Sequence, residues 1–296
     1  MRAIVTGAGG FLGNHLKSFL YKKNIEVFNI GTKKQSHSHF IELKDFTDIS
    51  FFRNTILSIK PDFIFHLAGT ADSKDTCKSF EVNTTFCSSI LEALKSDYNI
   101  SKTKILIVGS ASEYGLVSED KLPLKEDFNG QPISDYGISK LQQTQYALES
   151  QKDLRNLVVV RPFNIIGPDM PTHLAIGSFQ DQIKSFESRG TIRTGNLDVY
   201  RDFIDVKDVV NIMFSLINNN YSYGEIVNIC RSEPFSLRKI VEFMIRHSKK
   251  DITLQEDLSR HKKNDAKTHF GCNKKLFSIL GKYQFRKIDD TLRSLI

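Results

Sequence analysis

The sequence predicts an α/β fold built on a doubly wound parallel sheet, with a smaller C-terminal domain attached. Three observations predict it. Short apolar runs alternate with helix-length periodic stretches through the first half of the chain, the order that covers both faces of a parallel sheet with helices. The run at 157–160 (LVVV) has no polar alternation, as a strand buried on both faces reads. A glycine-rich turn joins the first strand candidate to the first helix candidate, which makes the sheet Rossmann-type.

Strands are expected at 2–6, 25–30, 63–67, 105–108 and 157–160, and helices between them at 10–22, 48–59, 80–94 and 136–150. After Arg161-Pro162 the pattern changes. A turn-rich stretch (Gly167-Pro168, Met170-Pro171) leads to a helix at 178–188; a further helix follows Asp205, and 226–229 reads as one more strand. From about Ser232 the tail has helix candidates with a weaker pattern. The expected division is a dinucleotide-binding domain at 1–163, rejoined by 204–230, and a substrate-binding domain from 164–203 and 231–296.

Composition narrows the class. With 296 residues, 40% of them apolar and 25% charged, the chain can bury a substantial core. No apolar run approaches the ~18–20 residues of a membrane-spanning helix, and the N-terminus shows no secretory signal. A cytoplasmic protein without a membrane partner is expected. Cys77, Cys87, Cys230 and Cys272 have no metal-ligand spacing and read as reduced thiols, with no metal site. The net charge of +7 is scattered in pairs such as Lys22-Lys23 and Lys249-Lys250, not in the stripe of a nucleic-acid binder. It would favour a diphosphate substrate, although solvated surface explains most of these lysines.

The segment Thr6-Gly7-Ala8-Gly9-Gly10-Phe11-Leu12-Gly13 follows a strand and opens a helix. Glycines at 7, 10 and 13 permit a tight turn, close approach of backbone N–H groups to a pyrophosphate, and tight helix–strand packing. A flexible turn is the alternative for a lone glycine triplet; its place in the first strand–helix joint favours dinucleotide binding. The second strand, where an acid would take the ribose hydroxyls of NAD, ends Ile30-Gly31-Thr32-Lys33-Lys34. These are either solvated loop lysines or a seat for a 2′-phosphate, and the cofactor expected is NADPH, with NADH possible in its place.

Tyr136-Gly137-Ile138-Ser139-Lys140 sets a phenol and an ammonium four residues apart on one helix face. The ammonium can lower the phenol pKa and hold a cofactor ribose. This spacing is cheap: with nine tyrosines roughly one chance match is expected, and Tyr98–Lys102 supplies it, in a polar link. Ser110 lies just past the strand at 105–108, at the carboxyl end where ligands bind in open α/β sheets. Its hydroxyl could bond a substrate oxygen while Tyr136 exchanges the proton. A lone serine after a strand is usually a turn residue; glycine turn, Ser110 and Tyr136/Lys140 in that order are far more specific. His66 ends a buried strand and reads as a packed core histidine; His37 and His39 lie in a polar loop.

Taken together, these segments resemble the extended short-chain dehydrogenase/reductase family of NAD(P)-dependent sugar-nucleotide epimerases, dehydratases and reductases. The resemblance runs from Arg2 to about Ile240. It is carried by 6–13 (TGAGGFLG), Asp45-Phe46, 66–69 (HLAG), Glu81-Val82-Asn83, 109–115 (GSASEYG), 136–140 (YGISK), 161–168 (RPFNIIGP) and 195–210 (GNLDVYRDFIDVKDVV). It implies cofactor contacts from Gly7, Gly10, Phe11, Leu12, Gly13, Lys33, Asp45, Phe46, Leu67, Ala68, Gly69, Asn83, Tyr136, Lys140 and Pro162. It implies substrate contacts from Ser110, Ser112, Tyr136, Asn164, Arg201 and Arg260, with Arg201 on the pyrophosphate. A homodimer is the family's habit.

Within the family, 161–168 and 195–210 are similar to GDP-4-keto-6-deoxy-D-mannose reductases. At the segment matching 109–115, the family's dehydratases carry a Glu two residues before the tyrosine that is Tyr114 here, as base, and its fucose-synthase-like members a Cys there. This chain has Ser112, and its one nearby acid, Glu113, is a residue out of register. Dehydration and double epimerisation therefore lack their agent. The resemblance implies C4-keto reduction of a nucleotide-linked 4-keto-6-deoxy sugar, GDP-linked by preference, in deoxysugar biosynthesis for surface polysaccharide. Ser110, Tyr136 and Lys140 would be the catalytic residues. The alternatives are a UDP-sugar 4-epimerase with retained NAD+ and, against the intact Tyr–Lys pair, a non-catalytic redox sensor.

Overall fold

The computed structural model describes residues 1–32, 39–71, 75–95, 102–261 and 265–296. The elements run β1 (Arg2–Thr6), α1 (Phe11–Lys22), β2 (Glu26–Gly31), β3 (Phe40–Glu42), α2 (Ile49–Ile59), β4 (Phe63–His66), α3 (Thr76–Phe80), α4 (Phe86–Lys95), β5 (Lys104–Val108), α5 (Asp135–Glu149) and β6 (Leu157–Pro162). Then follow β7 (Asn164–Ile166), α6 (Ala175–Ser185), β8 (Arg189–Thr194), β9 (Tyr200–Asp205), α7 (Val206–Ile217) and β10 (Ile226–Ile229). The tail comprises β11 (Pro234–Ser236), α8 (Leu237–Ser248), β12 (Asp251–Glu256), β13 (Thr268–His269), α9 (Lys274–Leu280) and α10 (Ile288–Arg293).

Period-two alternation sorts the large sheet's side chains onto two cores. Ala3, Val5, Phe63, Phe65, Leu106, Val108, Val158 and Val160 face Leu16 and Leu20 of α1 and Val209, Ile212 and Met213 of α7. Their neighbours Ile4, Ile64, Ile105, Ile107, Leu157 and Val159 face Phe52 and Ile56 of α2 and Phe86, Ile90 and Leu91 of α4. Both sets are apolar because neither face meets water, which is why β4 and β6 are buried along their whole length. The sheet has seven strands in the order β10-β6-β5-β4-β1-β2-β3, and every pairing is parallel. Strand order reverses at β1 and β4, so a crevice opens beyond their carboxyl ends.

The helix expected at 80–94 divides. Asp75 caps α3 by accepting from Lys78 N at 3.0 Å, and a wide π turn at Glu81–Thr85 separates it from α4. That turn brings in Asn83, which is fully buried; its side chain accepts from Thr70 N at 2.8 Å and donates to Thr70 O and Ser139 Oγ. Tertiary hydrogen bonding overrides the regular α pattern there. The helix expected at 178–188 begins three residues earlier and ends at Ser185, where Phe186 is extended.

A third core lies beside the large sheet. Here β9 pairs with β7, β11 and β13, and β12 pairs with β8. Ile176, Phe179 and Ile183 of α6 pack with Ile240, Val241 and Met244 of α8 and with Ile288 and Leu292 of α10. None of these short strands was expected from the sequence: β8 buries only alternate residues at its end and β12 none. No helix among the described residues is long and apolar enough to cross a membrane.

Candidate active site

A cavity of about 1230 Å³ begins at the glycine turn, passes the carboxyl ends of β4, β5 and β6, and reaches β8 and β9. Gly7 takes φ +67°, and a Cβ on it would stand 2.8 Å from Ala68 N. A Cβ on Gly13 would stand 2.3 Å from Gly7 O. Gly7 and Gly13 thus let the turn fold onto β4 and the helix fold onto the turn. Neither lines the cavity; Gly10, Phe11 and Leu12, at the amino end of α1, do. Free N–H groups and the helix dipole make that end suited to an anion. Thr6 Oγ1 ties β1 to β4, meeting His66 Nδ1 at 3.0 Å and accepting from Ala68 N at 3.1 Å. His66 is fully buried, edge-on to Phe86, and burial followed by the Lys140 charge pushes its pKa down to about 3.

Ser110, Tyr136 and Lys140 come together on the cavity wall. Ser134 caps α5, its Oγ accepting from Gly137 N at 3.1 Å, and so starts the helix that aims Tyr136 and Lys140 at β5. The Ser110 hydroxyl faces the Tyr136 phenol closely enough to act on its pKa. Burial holds the phenol above its ordinary pKa, the Ser110 hydroxyl opposes this, and the Glu113 charge adds to it. The Lys140 ammonium, 2% exposed, is pushed down to about 8 by burial, with Cys87 and Glu113 opposing.

Glu113 is the acid that stood a residue out of register, and the structure gives it a different place from the cavity. It is fully buried, its Oε2 is 2.7 Å from Arg161 Nε, and its Oε1 accepts from Ser110 N at 2.7 Å. Burial raises its pKa and the Arg161 guanidinium lowers it. Ser112 is exposed and absent from the cavity wall, its N–H tied to Ser110 Oγ at 3.1 Å. Ser112, expected as a substrate contact, is thus not among the residues brought together on the cavity wall.

Other expected contacts divide in the same way. Leu67, Gly69, Pro162, Asn164, Arg201 and Arg260 line the cavity. Ala68 and Asn83 stand behind it: a Cβ on Gly69 would fall 3.1 Å from Asn83 Oδ1, so Asn83 shapes the wall from outside. Asp45 is exposed, with its carboxyl accepting from Thr47 N and Oγ1, which hold its pKa down. Phe46 packs on Phe86 at 5.1 Å between ring centroids. Neither Asp45 nor Phe46 lines the cavity. Lys33, like Lys34, His37, Tyr98, Lys262 and Lys263, lies outside the described residues.

At the far end, Asn164 Nδ2 donates to Asp202 O at 3.0 Å. Arg201 is 2.5 Å from Asp265, and Arg260 is 3.5 Å from Asp257. Arg193 and Asp265 also line this end, and the sequence reading missed both. Arg193 belongs to the weakly patterned β8, and Asp265 to a polar run with no motif around it, so only a register for the tail could have found them.

A parallel sheet with a glycine turn at its switch point, and a tyrosine and lysine one helical turn apart on the cavity beyond, is the build of a nicotinamide-dependent oxidoreductase. The chain belongs to the NAD dependent epimerase/dehydratase family, whose model matches residues 3–230. It is 28% identical to GDP-6-deoxy-D-talose 4-dehydrogenase of Aggregatibacter actinomycetemcomitans, across 100% of this chain and 97% of that protein. It is 25% identical to GDP-6-deoxy-D-mannose reductase of Pseudomonas aeruginosa, across 100% of this chain and 96% of that protein. Among solved structures, RMD from Pseudomonas aeruginosa complexed with NADPH shares the fold, with a TM-score of 0.81 at 24% identity over 99% of this chain and 97% of that one.

Proposed function

We propose that the chain reduces the C4 keto group of a nucleotide-linked 4-keto-6-deoxy sugar, GDP-linked, with NADPH. The observation that carries this reading is the inward placement of Glu113. Among the described residues around Ser110 and Tyr136, none on the cavity wall is a carboxylate placed to abstract a proton beside a ketone. Reduction needs no such base. Both curated relatives named above are GDP-6-deoxy sugar enzymes of redox type, which favours GDP over other nucleotides. The preference for NADPH rests on β2, which ends in Gly31-Thr32 without an acid, and on the lysines that follow.

The residues present fit a dinucleotide. Phe11 and Leu12 offer backbone N–H groups to a diphosphate, while the Gly10 N–H closes the turn on Gly7 O at 3.0 Å, and Gly69 leaves open a space beside Lys140 that a Cβ would fill at 2.9 Å from Nζ. The bound nicotinamide would supply the hydride. Ser110 orients the ketone by donating its hydroxyl, and Tyr136 gives its phenolic proton to the developing C4 alkoxide. Lys140 eases that transfer by stabilising the phenolate and holds the ribose. Asn164, Arg201 and Arg260 take the sugar nucleotide, Arg201 by pairing with its diphosphate. Residues 1–163 with 204–230 serve the cofactor, and 164–203 with 231–296 serve the substrate.

The test follows the nicotinamide absorbance with GDP- and CDP-linked 4-keto-6-deoxy sugars generated enzymatically. NADPH consumption equal to the keto sugar added, fastest with the GDP sugar, supports the reading. No consumption with either sugar overturns it and turns attention to a 4-epimerase with retained NAD+.

A further inference from the structure

Gln143 follows Lys140 by three residues on α5 and is fully buried. Its Oε1 accepts from Lys140 Nζ at 2.9 Å, and its Nε2 donates to Val108 O at 3.0 Å. Lys140 Nζ donates to the same Val108 carbonyl at 3.0 Å. Lys140, Gln143 and the end of β5 therefore close a triangle of hydrogen bonds. An ammonium has three donors, and the triangle fixes two. The third points toward Ala68 O at the longer distance of 3.4 Å, on the side where Gly69 lines the cavity. A fully buried amide is costly unless both its ends are bonded, and here both are bonded, one to the Lys140 ammonium and one to the carbonyl that ammonium shares.

We propose that Gln143 is a positioning residue for the redox step: it aims the Lys140 ammonium and, being neutral, leaves its charge undiminished for the Tyr136 phenol and the cofactor ribose. This rests on the role given to Lys140 above. A carboxylate in the same place would aim the ammonium equally well but would cancel its charge. A hydrocarbon would do neither, and would also leave Val108 O with one partner fewer. Among the described residues, the titratable groups whose charge acts with that of Lys140 are His66 at the end of β4, Cys87 on α4 and Glu113 after β5, and Tyr136 stands one turn away on α5 itself. None of these hydrogen-bonds Nζ, so substitution at 143 acts on the ammonium most directly.

The test uses full-length Gln143→Glu and Gln143→Leu with two readouts: the pH profile of kcat for keto-sugar reduction, and the titration of the Lys140 ammonium by NMR after lysine 15N labelling. Reduction requires a charged Lys140 and a protonated Tyr136, so activity falls on the alkaline side. Gln143→Glu should move that limb, and the Lys140 titration, to higher pH by about 1–3 units; Gln143→Leu should move both lower. In both variants kcat at the optimum should fall by up to about 10²-fold with KM for the sugar little changed. Should Gln143→Leu not fold, Gln143→Glu decides alone, since it preserves shape. Limbs and titrations that overlay the wild type, with only kcat reduced, would overturn the proposal in favour of a packing role. Absence of turnover in the wild type would defeat the reductase reading, and the NMR titration would still decide Gln143.

Discussion

Glu113 and Arg161 form a buried ion pair behind Ser110, with 2.7 Å between Oε2 and Nε and side-chain exposures of 0% and 5%. The guanidinium also lies over the Tyr114 ring, 4.7 Å from its centroid. Burying two charges is costly, and here each charge is the other's main counter-charge. Glu113→Ala would leave Arg161 uncompensated and free Ser110 N from its acceptor. The expected loss is about 3–5 kcal/mol of unfolding free energy, read from denaturant melts. A loss below about 1 kcal/mol would show that water or a rearranged partner neutralises Arg161.

Replacing Tyr136 with Phe removes the proposed proton donor but leaves the glycine turn and Lys140 in place. The rate of keto-sugar reduction should fall by about 10²–10⁴-fold, while NADPH affinity, read by fluorescence titration, stays within a few-fold. A variant retaining most of its activity would remove Tyr136 from the chemistry.

His66 couples the site to acid stability. Its folded pKa is depressed from 6.5 to about 3, by burial first and by Lys140 second. A depressed folded value stabilises the native state above the unfolded pKa, and this contribution is lost as pH falls from about 6.5 towards 3. The full effect is on the order of 5 kcal/mol. Urea melts between pH 7 and 4 should therefore show a steeper decline for the wild type than for His66→Gln. Equal slopes would mean that His66 does not take up a proton on unfolding in this range.

The large sheet was legible because its strands obey one rule. The central strands β1, β4, β5 and β6 carry apolar side chains to both faces, so 63–67 and 157–160 could be recognised without a partner in view, whereas the half-exposed edge strand β3 left no such pattern. Ser110, Tyr136 and Lys140 were legible because spacing and chain order place them at the carboxyl ends of those strands. Asn83, in contrast, sits on a π turn that only its bonds to Thr70 and Ser139 explain. Ser112 and Glu113 were read by register alone. Which of two adjacent side chains turns inward depends on Arg161, 48 residues away along the chain. Arg193 and Asp265 escaped notice because β8 and the tail owe their place to pairing with β12 and β9, not to any local pattern.

Arg201 offers a test of the far end of the cavity. It stands on β9, with Nη1 donating to Tyr200 O at 2.8 Å and Nη2 facing Asp265. Its side chain is only 15% exposed, so solvent screens it weakly. A charge-assisted bond of this kind to a diphosphate is worth about 1.5–3 kcal/mol, or roughly 10–100-fold in KM. Arg201→Met should raise KM for the sugar nucleotide by that factor. It should leave kcat at saturation nearly unchanged, because the contact is the same in ground and transition states. Asp265→Asn makes the complementary test, since the same guanidinium then loses its resident counter-charge. A lower KM in that variant would mean that Asp265 competes with the diphosphate for Arg201. A higher KM would mean that Asp265 itself holds part of the substrate, and that Arg201 and Asp265 act on it together.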